Sequence, residues 1–172
     1  LSDRVDEWLV SSLTEYKGKH LQSVTKGDLD LGALADQEEK EKTEKAAKEH
    51  GDLLNRLKET LAERVQEVRV STRLVDSPAC IVVGEHDMSA NLARVLKAVG
   101  QEAPDQKPIL ELNPGHPVVE ALARRFETDA TDPKIAKAAR LLLGQATLAE
   151  GGQLEDPAAF GELVTELMEE TL

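Results

Sequence analysis

Cys80, His86 and Glu111 are the residues whose types and neighbours come nearest to reaction chemistry. A thiol close in sequence to an imidazole is the raw material of an activated nucleophile. A carboxylate flanked by Leu110 and Leu112 is the raw material of a general acid whose pKa is lifted by an apolar setting. Neither develops further. Cys80 stands in the apolar run Ala79–Val83, whereas a catalytic thiol needs an electropositive, accessible environment, so it reads as buried and inert. Glu111 reads as an outward carboxylate at a strand edge. The rival, an enzyme with an acidic cleft around Glu111, requires a metal or a partner base that the sequence does not supply. His20, His50, His86 and His116 are scattered without ligand spacing. There is no glycine-rich phosphate loop, no CxxC pair, no HExxH and no GxSxG. The expectation is a chain with no catalytic residue, no metal and no cofactor of its own.

The elements that would position any such group belong to a chain of 172 residues, 40 % hydrophobic and 31 % charged. That composition is globular, and a compact chain of this size hides roughly 70 % of its unfolded surface. Against 21 Lys and Arg stand 33 Asp and Glu, a formal charge of −12. Such a surface repels phosphate, which argues against nucleic acid and anionic membranes as partners. One cysteine rules out an internal disulfide and fits a reducing compartment. The apolar runs are too short to span a bilayer, and the N-terminus carries no basic-then-apolar leader. The chain opens on Leu1 inside a helical pattern, so it is expected to be a piece of a longer protein.

Residues 1–14 place Val5, Trp8, Leu9 and Leu13 on one helical face, with Asp3 as N-cap. His20–Val24 has a weak strand pattern, and Lys26-Gly27-Asp28 reads as a turn. Residues 36–50 are almost all charged, with Glu-before-Lys pairs at i,i+4 (Glu38 to Lys42, Glu41 to Lys45, Glu44 to Lys48), which predicts a solvated helix. It separates an N-terminal fragment, 1–35, from a main domain, 51–172. There Leu54, Leu57, Leu61, Val65 and Val68 form a stripe at helical spacing. Val68–Thr72 and Ala79–Val83 read as neighbouring antiparallel strands, and Ile109–Leu112 as a third. Further helices are predicted over Met88–Val99, ending at the C′ glycine Gly100, and over Pro117–Phe126. Two more open on Asp132-Pro133 and Asp156-Pro157, the N-cap followed by proline at N1. The fold class is α+β: a small antiparallel or mixed sheet of about three strands with several helices.

Two apolar surfaces have no evident cover. The helix bearing Met88, Leu92, Val95, Leu96 and Val99 is either ordinary core or a semi-exposed face that holds other chains, aided by the adaptable Met88. The helix with Trp8 is a second such candidate. At the C-terminus one helix offers Ile135, Ala138, Ala139, Leu142 and Ala146, and the other Phe160, Leu163, Val164, Leu167 and Met168. Two helices joined by Glu150-Gly151-Gly152 cover each other only in part. Either they dock on the chain's own sheet, or they pair with a second copy as an intermolecular four-helix bundle. A third possibility is a passive adaptor that binds through the charged helix.

The stretch Glu63-Arg64-Val65-x-x-Val68-Arg69-x-Ser71-x-Arg73-Leu74-x-x-Ser77-Pro78-Ala79, with Glu111-Leu112-Asn113-Pro114-Gly115-His116-Pro117, resembles the C-terminal domain of the 90-kDa heat-shock chaperones. Asp87-Met88-Ser89 is similar to the bacterial form. Val5-Asp6-Glu7-Trp8, Lys17-Gly18-Lys19 and Gln22-Ser23-Val24-Thr25-Lys26 resemble the end of that family's middle domain. The resemblance covers essentially the whole chain. It implies a homodimeric chaperone that assists protein folding and stress response, with an ATP- and Mg-dependent ATPase in an N-terminal domain outside this chain. It implies that 1–35 ends the middle domain and that 51–172 is the dimerisation domain. The dimer interface would be formed by Ile135, Ala138, Leu142, Ala146, Phe160, Leu163, Val164 and Leu167. Client proteins would be held by Glu7, Trp8, Met88, Leu92, Val95 and Leu96. Members that dock tetratricopeptide co-chaperones end in Met-Glu-Glu-Val-Asp; this chain reads Met168-Glu169-Glu170-Thr171-Leu172, so no such docking is expected.

Overall fold

The computed structural model describes residues 13, 15–21, 37–84, 87–88, 93, 96, 100–101, 104 and 106–172. The expected helix over 1–14 and the Lys26-Gly27-Asp28 turn lie outside them, apart from Leu13. The first described element is a hairpin of β1 (Glu15–Tyr16) and β2 (Lys19–His20). Its two-residue turn puts Lys17 at φ 50° and Gly18 at φ 74°, the left-handed pair that matches strand twist.

The charged segment forms α1 (Gln37–Glu49), with Lys45 Nζ 3.7 Å from Glu49 Oε1 one turn on. It is not solvated all round: it passes beside β3 (Glu67–Val70), and Thr43 and Ala46 are half-buried. At His50 the helix gives way to α2 (Gly51–Thr60), yet the bonds carry on across the junction, His50 N–H to Ala46 O and Leu54 N–H to His50 O, both 2.9 Å. The apolar stripe predicted from Leu54 to Val68 is correct as burial and incorrect as helix. α2 stops at Thr60, the chain turns through 61–64, and Val68 belongs to β3; Leu53, not Leu54, is the buried neighbour of Leu57.

The main sheet is mixed, in the order β3-β5-β4, with β4 at Ala79–Val82 and β5 at Ile109–Leu112. The two strands expected to be adjacent are therefore separated by β5, which runs parallel to β3 and antiparallel to β4. The loop between them is not a hairpin turn but is held open by Asn113, whose Nδ2 donates to the carbonyls of Val75 (3.0 Å) and Ser77 (3.2 Å). As the central strand, β5 is buried at all four positions.

Register puts Val68, Leu110 and Ile81 in one row and Val70, Leu112 and Ala79 in another, on the same face. Against the sheet pack α2 and α4 (Pro133–Ala149), with α3 (Pro117–Thr128) on α4. Leu57, Leu61, Leu110, Leu122, Ile135, Ala139 and Leu142 fall in one buried cluster. The last element is α5 (Pro157–Thr171). The α+β class, the small mixed sheet and the several helices agree with the sequence reading.

Candidate functional site

The terminal helices begin where their caps dictate. Asp132 Oδ1 accepts from Lys134 N–H (2.8 Å) and Asp156 Oδ1 from Ala159 N–H (2.9 Å), each ahead of a proline at N1. Such a carboxylate satisfies an orphan donor and suits the positive end of the helix dipole. The Lys134 N–H, and after it the Arg125 guanidinium, hold the Asp132 carboxyl below the usual carboxylate range. Between the helices Gly151, at φ 73°, reverses the chain.

α5 returns antiparallel along α4. At one end the Phe160 ring lies over Gly144, and at the other Lys137 and Lys134 reach Glu166 and Glu170, each at 2.6 Å. These pairs are exposed. The Glu166 hydrogen bond raises the Lys137 pKa, and the Lys134 hydrogen bond lowers that of Glu170.

Burial divides the expected interface residues sharply. Ile135, Leu142 and Ala146 are 1 %, 3 % and 2 % exposed, because α4 turns its apolar stripe onto β4. They fill this chain's own core and have no surface left for a second copy, and Ala138 is half-buried against the same cluster. α5 is different. None of its described side chains is buried: Phe160, Leu163 and Val164 are half-buried, and Leu167 and Met168 are 50 % and 54 % exposed. Near the other end of the hairpin Leu148 is 48 % exposed. A groove of roughly 860 Å³ runs beside α5, lined by Arg64, Ile81, Leu143, Gly144, Leu154 and Phe160 among others. The apolar surface left open among these residues thus lies along the Phe160–Leu167 side of α5, with Leu148 at the end of α4.

Of the residues expected to contact clients, Glu7, Trp8, Leu92 and Val95 lie outside the described residues. Met88 and Leu96 are half-buried. Leu96 is helical, and Gln101 N–H donates to its carbonyl (2.9 Å) across Gly100 at φ 76°. That is the helix stop predicted for Gly100.

Glu111 is not at an edge. It is 2 % exposed in the central strand, with Arg69 and Cys80 opposite it on the two neighbours. Its Oε1 accepts from Arg69 Nη2 (2.8 Å), Arg69 Nε (3.1 Å) and Arg73 Nη2 (3.1 Å). Its Oε2 accepts from Ser71 Oγ (3.0 Å) and lies 2.9 Å from Arg73 Nε. A carboxylate so enclosed and so fully engaged is a structural acceptor, and this disposes of the acidic-cleft reading. Burial first, and the Glu111 charge second, push the Cys80 thiol up to about 11, which makes it unreactive at neutral pH. Sequence reasoning missed that Arg69, Ser71 and Arg73 form the nest for Glu111. The signal was their spacing in and after β3, which is readable only once β3 and β5 are known to pair.

The sequence model of the family described as "Hsp90 protein" matches residues 1–172. The chain is similar to the chaperone protein HtpG of Dechloromonas aromatica (strain RCB), 55 % identical over 168 residues, 98 % of this chain and 26 % of that protein. The HtpG of Nitrosomonas europaea is 51 % identical over 168 residues, 98 % of this chain and 25 % of that protein. The HtpG of Bordetella pertussis is 56 % identical over 160 residues, 93 % of this chain and 24 % of that protein. The chain therefore spans about a quarter of the length of the curated relatives it matches.

Proposed function

This chain belongs to the Hsp90 family, and from that premise we propose that it is the homodimerisation and client-contact module of an ATP-dependent chaperone. The ATPase would reside in an N-terminal domain outside this chain, and the working compartment would be the cytoplasm. Among the described residues no helix is long and apolar enough to cross a membrane.

The observation that supports the reading is the apolar side of α5, where none of the described side chains is buried and Leu167 and Met168 stay half open beside Phe160, Leu163 and Val164. Burying such a face contributes roughly 25 cal/mol per Å² of apolar area, and a second copy offers a self-complementary way to do so. Dimerisation through α5 would hold two arms together, so that closure of their far ends becomes intramolecular and gains in effective concentration. Client proteins would be held weakly by the segment containing Met88, Leu92, Val95 and Leu96, with Glu7 and Trp8, through non-directional apolar burial. No tetratricopeptide co-chaperone docks at the C-terminal residues in this reading.

Sedimentation equilibrium tests the dimer. A mass twice 18.8 kDa at low micromolar concentration supports it, and a single-chain mass throughout refutes it. A second reading, a passive adaptor without a chaperone cycle, draws on the charged helix α1, most of whose described side chains are exposed. Scrambling α1 while keeping its composition would abolish partner binding on that reading and leave it intact on the first.

A further inference from the structure

The sequence from Gly84 to Gln106 leaves the sheet after β4 and returns just before β5. Its two ends meet in a compact set of hydrogen bonds. Gln106 Nε2 donates to Asp87 Oδ1 (2.9 Å), and Gln106 Oε1 accepts the Met88 N–H (3.0 Å). Asp87 Oδ2 in turn accepts the Gly84 N–H (3.1 Å), and Asp87 N–H donates to the Gly84 carbonyl (3.0 Å). The Asp87 carboxylate is packed so closely on Gly84 that a Cβ there would lie 2.7 Å from Oδ2. One carboxamide thus uses both its donor and its acceptor to join the outgoing strand of the excursion to the returning one.

We infer that Gln106 is a positioning residue for Met88, one of the proposed client-contact residues: with Asp87 it clamps the neck of the excursion and fixes the backbone at Met88. This rests on the client-contact reading proposed above. The geometry is specific in its chemistry. An amide side chain matches a carboxylate oxygen and a backbone N–H at once, because it carries a donor and an acceptor on one planar group. A glutamate at 106 would set two carboxylates against each other, and an alkyl side chain would leave the Met88 N–H and Asp87 Oδ1 without their partner. The clamp touches neither the α4–α5 pair nor the Glu111 nest, so it can be broken without disturbing them.

The test uses the intact protein carrying Gln106→Leu, with two readouts. Amide hydrogen exchange at Met88 is expected to speed up by roughly ten-fold, the size of one net hydrogen bond, while Leu110 in β5 keeps its protection. Binding of reduced, carboxymethylated α-lactalbumin, a partly folded probe, is expected to weaken several-fold with the thermal midpoint held. Unchanged exchange at Met88 overturns the clamp, and faster exchange with unchanged probe binding overturns its role in presentation. Met88→Ser with Leu96→Ser is the control for the underlying reading. If that double variant binds the probe normally, the client-contact assignment fails and the presentation role fails with it, while the exchange result still decides the clamp. Asp87→Asn, which retains an acceptor for Gln106, is expected to fall between wild type and Gln106→Leu; behaviour equal to Gln106→Leu would place the effect on the Gly84 contact instead.

Discussion

The Phe160 ring occupies the space a side chain at Gly144 would need: a Cβ there would meet Cδ2 and Cε2 of the ring at 2.5 Å. The close approach of α5 to α4 depends on that vacancy. Gly144→Ala brings the helix-propensity gain of alanine, about 0.5–1 kcal/mol, against an overpacking cost of about 1–3 kcal/mol. The clash is expected to win, with a net loss of about 1 kcal/mol in urea unfolding and weaker self-association. A variant more stable than wild type would mean the ring swings aside at no cost.

Leu167→Asp tests the apolar side of α5 directly. Leu167 is 50 % exposed, so the single chain should keep its stability to within about 0.5 kcal/mol. In a dimer closed through α5 that charge would be buried, so on the proposed reading sedimentation is expected to give monomers where wild type gives dimers. Full dimer in this variant would exclude the α5 face from the contact.

Glu111→Ala leaves two arginines around an empty site, with side chains 23 % (Arg69) and 10 % (Arg73) exposed. Removing one side of a buried charge cluster costs about 3–5 kcal/mol, far above the median for a surface pair. Chemical denaturation is expected to show a loss of that size. Glu120→Ala, which removes an exposed pair with Arg124, serves as the contrast and should change little.

Cys80 predicts behaviour in alkali. Its thiol proton is held more tightly in the folded chain, where the pKa stands near 11, than at the ordinary value of 9.0. The folded state therefore binds more protons between these values, so its stability is complete below pH 9.0 and declines as pH rises through about 11. Alkylation by iodoacetamide should be slow at neutral pH and accelerate on unfolding in urea. Equal rates in the folded and unfolded chain would show the thiol to be open.

Asp156→Ala removes the carboxylate that accepts the Ala159 N–H at the start of α5. Loss of such a cap costs about 1 kcal/mol. Because none of the described side chains of α5 is buried, the loss should appear as fraying of α5, read as faster exchange at Phe160, with the sheet unaffected.

How far the sequence discloses this chain differs from element to element. The starts of α3, α4 and α5 are legible because cap and proline are local signals: His116-Pro117, Asp132-Pro133 and Asp156-Pro157. The pairing of β3 with β5 is not, since nothing near Val70 reveals that its neighbour begins at Ile109. Leu61, Val65 and Val68 keep helical spacing by coincidence while the chain turns and becomes a strand. The α4 stripe shows the same limit at the candidate site: period identifies the apolar side, but not whether a sheet or a second copy covers it.

The strand order has a consequence for synthesis. β3 and β4 leave the ribosome first and do not pair with each other, since each forms its ladder with β5, which is made later. Until Ile109–Leu112 arrives, both carry open edges and Arg69 waits for its carboxylate. The sheet closes late and through a long-range parallel contact, the slow kind. Until β5 is made, this chain's β3 and β4 thus have no partner with which to form their native ladders.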